Sequence, residues 1–149
     1  MDNTTIRDSV GYQLAYASKH QQNQLITALD ELDLQGGQEL VLAQLAETDG
    51  CSQSDLAEAL SVKPPSITKA VRKLEDVGFV ERQRDPDDAR IQQVFLTEEG
   101  EKMIPPIEAC WSRTEETMLD GFTTEERLLL RRMLIQIQEN IGMPYETKE

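Results

Sequence analysis

The side chains able to do chemistry gather in one stretch, Ser61 to Thr97, which reads SVKPPSITKAVRKLEDVGFVERQRDPDDARIQQVFLT. It holds seven Lys or Arg (Lys63, Lys69, Arg72, Lys73, Arg82, Arg84 and Arg90) against six Asp or Glu. The rest of the chain holds eight against twenty-two, so a local net charge of +1 sits within a total of −13 over 149 residues. An acidic chain with one locally basic element is equipped to meet an anion there and to repel it elsewhere. Ser66 and Thr68 lie among the cations. Lys and Arg neutralise phosphates or donate to guanine, Ser and Thr donate or accept, and Thr adds a methyl for thymine contact.

Other chemistries find little support. With the single His20, no glycine-rich phosphate loop, no nucleophile elbow and no Cys/His cluster at ligand spacing, the chain offers no triad and no metal site. No enzyme activity, metal or cofactor is expected. Glu115-Glu116 and Glu125-Glu126 read as solvated faces or caps. No apolar run exceeds four residues, and MDNTTIRDS lacks the basic start and apolar core of a signal peptide. Two cysteines, Cys51 and Cys110, are too few for a disulfide framework and agree with a reducing compartment. A soluble cytoplasmic protein without membrane attachment is expected.

The elements that must position the basic stretch follow from periodicity. Apolar residues from Ile6 to Leu32 recur at spacings near three and four, which predicts a long amphipathic helix. Gly36-Gly37 interrupts it and a second helix spans Gln38 to Glu47; Asp49-Gly50 is a turn pair. Ser52, with Asp55 three residues on, caps a short helix burying Leu56, Ala57 and Leu60. Pro64 suits the first position of the next helix, where its missing N–H costs nothing. Ile67, Val71 and Leu74 form that helix's packing stripe, leaving Pro65, Ser66, Thr68, Lys69, Arg72 and Lys73 largely outside it. Gly78 ends it. Val80 to Arg84 and Ile91 to Leu96 predict two strands around Asp85-Pro86-Asp87-Asp88. Thr97 caps a further helix that Pro105-Pro106 should kink or split, and Thr123 to Glu126 is a capping box for a last helix to about Ile141.

A short helix, a tight turn, a helix with a polar basic face and a hairpin make a winged helix-turn-helix. In that arrangement the second helix lies in the DNA major groove and an arginine of the wing reaches the minor groove, where negative potential is concentrated. From pattern alone a solvated helix and an ordinary hairpin fit equally.

GFVERQRDPDDARIQQVFLTEEG resembles the wing of the MarR (multiple antibiotic resistance regulator) family, through Gly78, Phe79-Val80, Arg82, Asp85-Pro86, Asp88, Arg90, Leu96-Thr97 and Gly100. Upstream, QSDLAEALSVKPPSITKAVRKLEDVG resembles its helix-turn-helix, and the long first and last helices extend the likeness along the chain. The resemblance implies a mainly α fold with a two-stranded β wing: one domain over 1–149, with a DNA-binding lobe at 36–100 and dimerisation helices at 5–34 and 101–142. It implies a homodimeric transcription regulator binding double-stranded DNA at a pseudo-palindrome with half-sites roughly 10 bp apart. Arg90, set by Asp88, is expected in the minor groove; Pro64, Pro65, Ser66, Thr68, Lys69, Arg72, Lys73, Arg82 and Arg84 complete the expected DNA-binding set. Ala89 stands where the family often has a basic residue. Asp85, Asp87 and Asp88 crowd the wing tip with carboxylates that oppose phosphate unless arginines pair with them, so moderate affinity and steep salt dependence are expected.

Tyr12, Tyr16 and His20 share one helix face at i, i+4 and i+8. The family often holds a small aromatic effector beside this helix, so the three line an effector pocket or else pack against the winged lobe or a partner subunit. Cys51 precedes a helix N-terminus, which permits a redox-sensing thiolate, or it is a structural thiol. The expected function is a repressor relieved by a small ligand. The alternatives are a winged-helix protein-interaction module that never touches DNA, favoured by the −13 charge, and a cysteine-based redox-sensing regulator.

Overall fold

The computed structural model describes residues 5–48 and 50–142. The order is a 3₁₀ turn (Ile6–Asp8), α1 (Val10–Asp30), α2 (Gln38–Glu47), β1 (Cys51–Ser52), α3 (Gln53–Ala59), α4 (Pro64–Asp76), β2 (Val80–Arg84), β3 (Gln92–Leu96), α5 (Glu98–Glu101), α6 (Ile104–Met118) and α7 (Thr124–Ile141). The mainly α fold with its wing hairpin is as expected. The chain divides into two compact units, at Thr114 and Glu115.

In the first unit the core joins α1's end to the helix-turn-helix and the hairpin: Leu25, Leu29, Leu34, Val41, Leu42, Leu56, Ile67, Val71, Leu74, Val80, Val94 and Ile107 are all buried. Local chemistry sets most boundaries. Ser9 accepts from the Tyr12 N–H and so starts α1 after a separate 3₁₀ turn, which shortens the expected first helix. Ser52 accepts from the Asp55 N–H and Thr97 from that of Gly100. Asp49 lies outside the described residues; Gly50 beside it has φ +90°. Behind α4, Gly78 at φ +82° donates to the Glu75 carbonyl, and Phe79 to that of Leu74. These paired bonds end the helix and turn the chain directly into β2.

The sheet is antiparallel in the order β1-β3-β2. The hairpin register pairs Val80 with Leu96, Arg82 with Val94 and Arg84 with Gln92. The two expected strands are joined by β1, whose Cys51 and Ser52 pair with Val94 and Gln93. The expected interruption near Pro105-Pro106 falls just ahead of them, between α5 and α6, so both prolines occupy α6's first turn, where missing N–H groups are tolerated.

In the second unit, Thr123 accepts from the Glu126 N–H at 3.1 Å while the Glu126 carboxylate accepts from the Thr123 N–H at 3.0 Å, which opens α7. No residue of α7 is buried. Among the described residues no helix is long and apolar enough to cross a membrane.

Candidate nucleic-acid interface

α4 is a helix with one apolar stripe. Ile67, Val71 and Leu74 are 2% exposed or less, which fixes the helix's rotation against the core. Pro64, Pro65, Ser66, Thr68, Lys69, Arg72 and Lys73 are therefore all turned to solvent. Pro64 and Pro65 fill the first turn behind Lys63. Thr68 Oγ1 lies 3.1 Å from Gln53 Oε1 and 3.2 Å from the Pro64 carbonyl, so its one proton is shared between α3 and α4. Lys73 Nζ donates to Gln35 Oε1 at 2.8 Å.

The hairpin sorts its three arginines into different situations. Arg82 is half-buried and donates through Nε and Nη2 to the two oxygens of Glu75, at 3.0 and 2.7 Å. Hydrogen bonding from Arg82 holds the Glu75 carboxyl below its ordinary range, and the same bonds raise Arg82. Arg84 is exposed. Arg90, its side chain 90% exposed, donates through Nε to Asp88 Oδ1 at 3.1 Å and through Nη2 to Oδ2 at 3.2 Å. The Arg90 backbone N–H also reaches Asp88 Oδ1, and these contacts hold the Asp88 carboxyl below its ordinary range.

The other wing-tip carboxylates are less hostile to phosphate than their count implies. Asp85 accepts from the N–H groups of Asp87 and Asp88 and from the Gln93 amide, so its oxygens are turned inward to hold its own loop. With Asp88 on Arg90, Asp87 is left as the wing-tip carboxylate directed to solvent. A cleft of about 470 Å³ between the start of α3 and the wing is lined by Ser52, Gln53, Ser54, Arg84 and Arg90. The three residues of α3's start had no expected place here. The sequence signal for them is the polar Ser-Gln-Ser run at the capped start of α3.

Tyr12 and Tyr16 stack with ring centroids 4.4 Å apart, and His20 lies 6.5 Å beyond. A hydrogen bond to Tyr16 raises the Tyr12 hydroxyl above its ordinary range. No residue of α1 before Leu25 is buried, so the stripe is not packed into the winged lobe of its own chain. Cys51 is buried and its thiol is pushed up, first by burial and then by the Asp55 charge, the reverse of what a reactive thiolate needs. Cys110, also buried, donates to the Ala28 carbonyl. Among the described residues no group of three or more His, Cys, Asp or Glu could hold a metal ion.

Residues 36–92 match the MarR family. Over 116 residues, 78% of this chain and 77% of the relative, the sequence is 34% identical to the uncharacterized HTH-type transcriptional regulator YybA of Bacillus subtilis (strain 168). The chain belongs to the MarR family. This MarR-family chain is thus a transcription regulator rather than an enzyme. Its fold is also that of the transcriptional regulator SlyA, at TM-score 0.83 and 24% identity over 95% of this chain and 99% of that one. A MarR variant from E. coli complexed with operator DNA superposes at TM-score 0.79, with 22% identity over 86% of this chain and 92% of the other.

Proposed function

We propose that this MarR-family chain is a cytoplasmic homodimer that binds a pseudo-palindromic operator in double-stranded DNA, with α4 in the major groove and Arg90 in the minor groove, as a repressor relieved by a small ligand. The observation that carries the reading is the pairing of one exposed cationic helix face with one exposed guanidinium held at the wing tip. Burial of Ile67, Val71 and Leu74 turns Lys69 and Arg72 out to solvent. Asp88 grips Arg90 by backbone and side chain together, which pre-orders an otherwise exposed arginine for insertion into a narrow groove. That a protein of the same fold, the E. coli MarR variant, is complexed with operator DNA supports DNA binding here.

Dimerisation is supported by α7. Leu128, Leu129 and Met133 are 66%, 48% and 41% exposed, and with Ile135 they leave an apolar face that the described residues do not cover. Ile6 of the 3₁₀ turn and Val10 at the start of α1 are exposed as well. A small aromatic acid is the effector class that fits the Tyr12, Tyr16 and His20 stripe: two stacking rings with hydroxyls, beside an imidazole. By linkage, a ligand that weakens DNA binding binds the DNA-free dimer more tightly.

The test is selection of duplexes from a random-sequence pool by the purified protein, followed by Lys69→Ala and Arg90→Ala on the selected sequence. Each variant should keep its fold and lose affinity, with the salt slope falling by about 0.9 per lost phosphate contact. A wild-type protein that retains no duplex at low salt would leave the protein-interaction reading in its place.

A further inference from the structure

Arg82 sits in the wing hairpin, but its cationic fork is turned onto Glu75. Its planar guanidinium meets both oxygens of Glu75 at 3.0 and 2.7 Å, a two-point contact that fixes orientation as well as distance. About a third of each side chain stays exposed, 30% for Arg82 and 34% for Glu75, and ion pairs so exposed add little to stability. The value of this pair lies in what it connects. Glu75 belongs to the last turns of α4; Arg82 is the middle residue of β2, paired across the sheet with the fully buried Val94. β2 is an edge strand, bonded to β3 on one side only. On the far side of β3 the hairpin is gripped by β1 through Cys51 and Ser52. Arg82 and Glu75 supply the corresponding grip on the β2 side, just before the chain runs out to Arg84 and the wing loop.

We propose that Arg82 is a positioning residue for DNA recognition: through Glu75 it locks the wing hairpin to α4, so that Arg90 and the outer face of α4 meet one duplex in fixed register. This rests on the DNA-binding reading above and reassigns Arg82 within it, from a phosphate contact to a brace. Two grooves of one duplex stand at a fixed separation, so a hairpin free to swing about Gly78 delivers Arg90 to the minor groove only part of the time. The affinity is reduced by that fraction.

The sign of one substitution separates bracing from charge. Glu75→Gln removes a negative charge beside the interface, and by the field alone it should tighten DNA binding. Bracing requires the opposite, about a tenfold loss, the lower range of what one arginine contact in a groove contributes. Arg82→Lys keeps the charge but not the fork and should lose as much. Exchanging the pair, Glu75→Arg with Arg82→Glu, should return affinity to within about threefold of wild type, since partners in contact are coupled while their sum of charge is unchanged.

The measurements use the full-length protein and a duplex carrying the sequence that wild type selects from a random pool, with thermal melting of every variant alongside. In the Glu75→Gln background Arg90→Ala should cost little further, whereas Lys69→Ala should cost as much as in wild type; a general loss of fold would not discriminate between them. The inference is overturned if Glu75→Gln binds as tightly as wild type or more tightly, or if the exchanged pair restores melting without restoring binding. A wild type that selects no duplex overturns the DNA-binding reading itself, which the pool experiment reveals before any variant is made.

Discussion

Replacing Gly100 by Ala should destabilise the winged lobe by about 2 kcal/mol, despite alanine's higher helix propensity. Gly100 is buried in α5, and a Cβ there would stand well inside van der Waals contact of the Phe79 carbonyl oxygen, 3.0 Å from the Phe79 carbonyl carbon and 3.1 Å from Leu96 Cδ2. The obstruction is backbone, so no side-chain rotation relieves it. Either α5 lifts or the start of β2 shifts, and both strain the Thr97 N–H to Phe79 carbonyl bond of 3.1 Å. Overpacking costs about 1–3 kcal/mol and a weakened hydrogen bond about 1, against roughly 1 regained from propensity. A net 2 kcal/mol corresponds to a fall in Tm of roughly 4–8 °C for a chain of this size. Gly11→Ala is the matched control, because nothing lies within 4 Å of its Cβ in the exposed start of α1. Its sign should be opposite, a gain of about 0.5–1 kcal/mol. Urea unfolding followed by far-ultraviolet circular dichroism measures both. A Gly100→Ala protein as stable as wild type, with Gly11→Ala behaving as stated, would refute the steric argument.

Glu39 is buried with Oε2 lacking a hydrogen-bond partner, and burial outweighs the N–H groups of Glu39 and Gly37 to raise its carboxyl above the ordinary 4.5. A raised folded value means the folded state holds its proton longer, so stability falls as pH climbs from 4.5 through the raised value. Glu39→Gln should flatten that slope and add about 1 kcal/mol at pH 7, a gain that is absent near pH 4, as urea titrations at the two pH values would report. Leu128→Asp on the uncovered face of α7 should shift sedimentation from dimer to monomer at micromolar concentration; an unchanged dimer would remove α7 from the interface. Cys51 should react with a disulfide reagent only after unfolding, because its thiol is both buried and raised. Rapid labelling of the native protein, or peroxide abolishing its DNA binding, would restore the redox-sensing alternative.

Much of this architecture was legible because it is written in short-range chemistry. Ser52, Thr97 and Thr123 each accept the N–H three residues on, Pro64 opens α4, and Gly78 closes it, as their residue types alone require. The stripe Ile67, Val71, Leu74 was readable for the same reason, and it dictates which side of α4 is free. Illegible features depend on pairings distant in sequence. β1 is two residues long, too short for any periodicity, and exists only because β3 comes alongside. The fate of a charge is equally non-local: Arg82 and Arg84 look alike in the sequence, yet only Arg82 lies within reach of Glu75 across the Gly78 turn. Ser9 was read as one residue within a long helix; its side chain makes it a boundary.

The short strand β1 has a further consequence. It leads without a break into α3, while its partner β3 carries the returning arm of the wing, so the hairpin and the helix pair are riveted into a single plate. Such a plate cannot retune its grip on a new target by letting one part drift. Changes of specificity that keep this fold then fall to the outward-facing side chains, while a substitution that loosens the wing's root should weaken binding to every sequence alike.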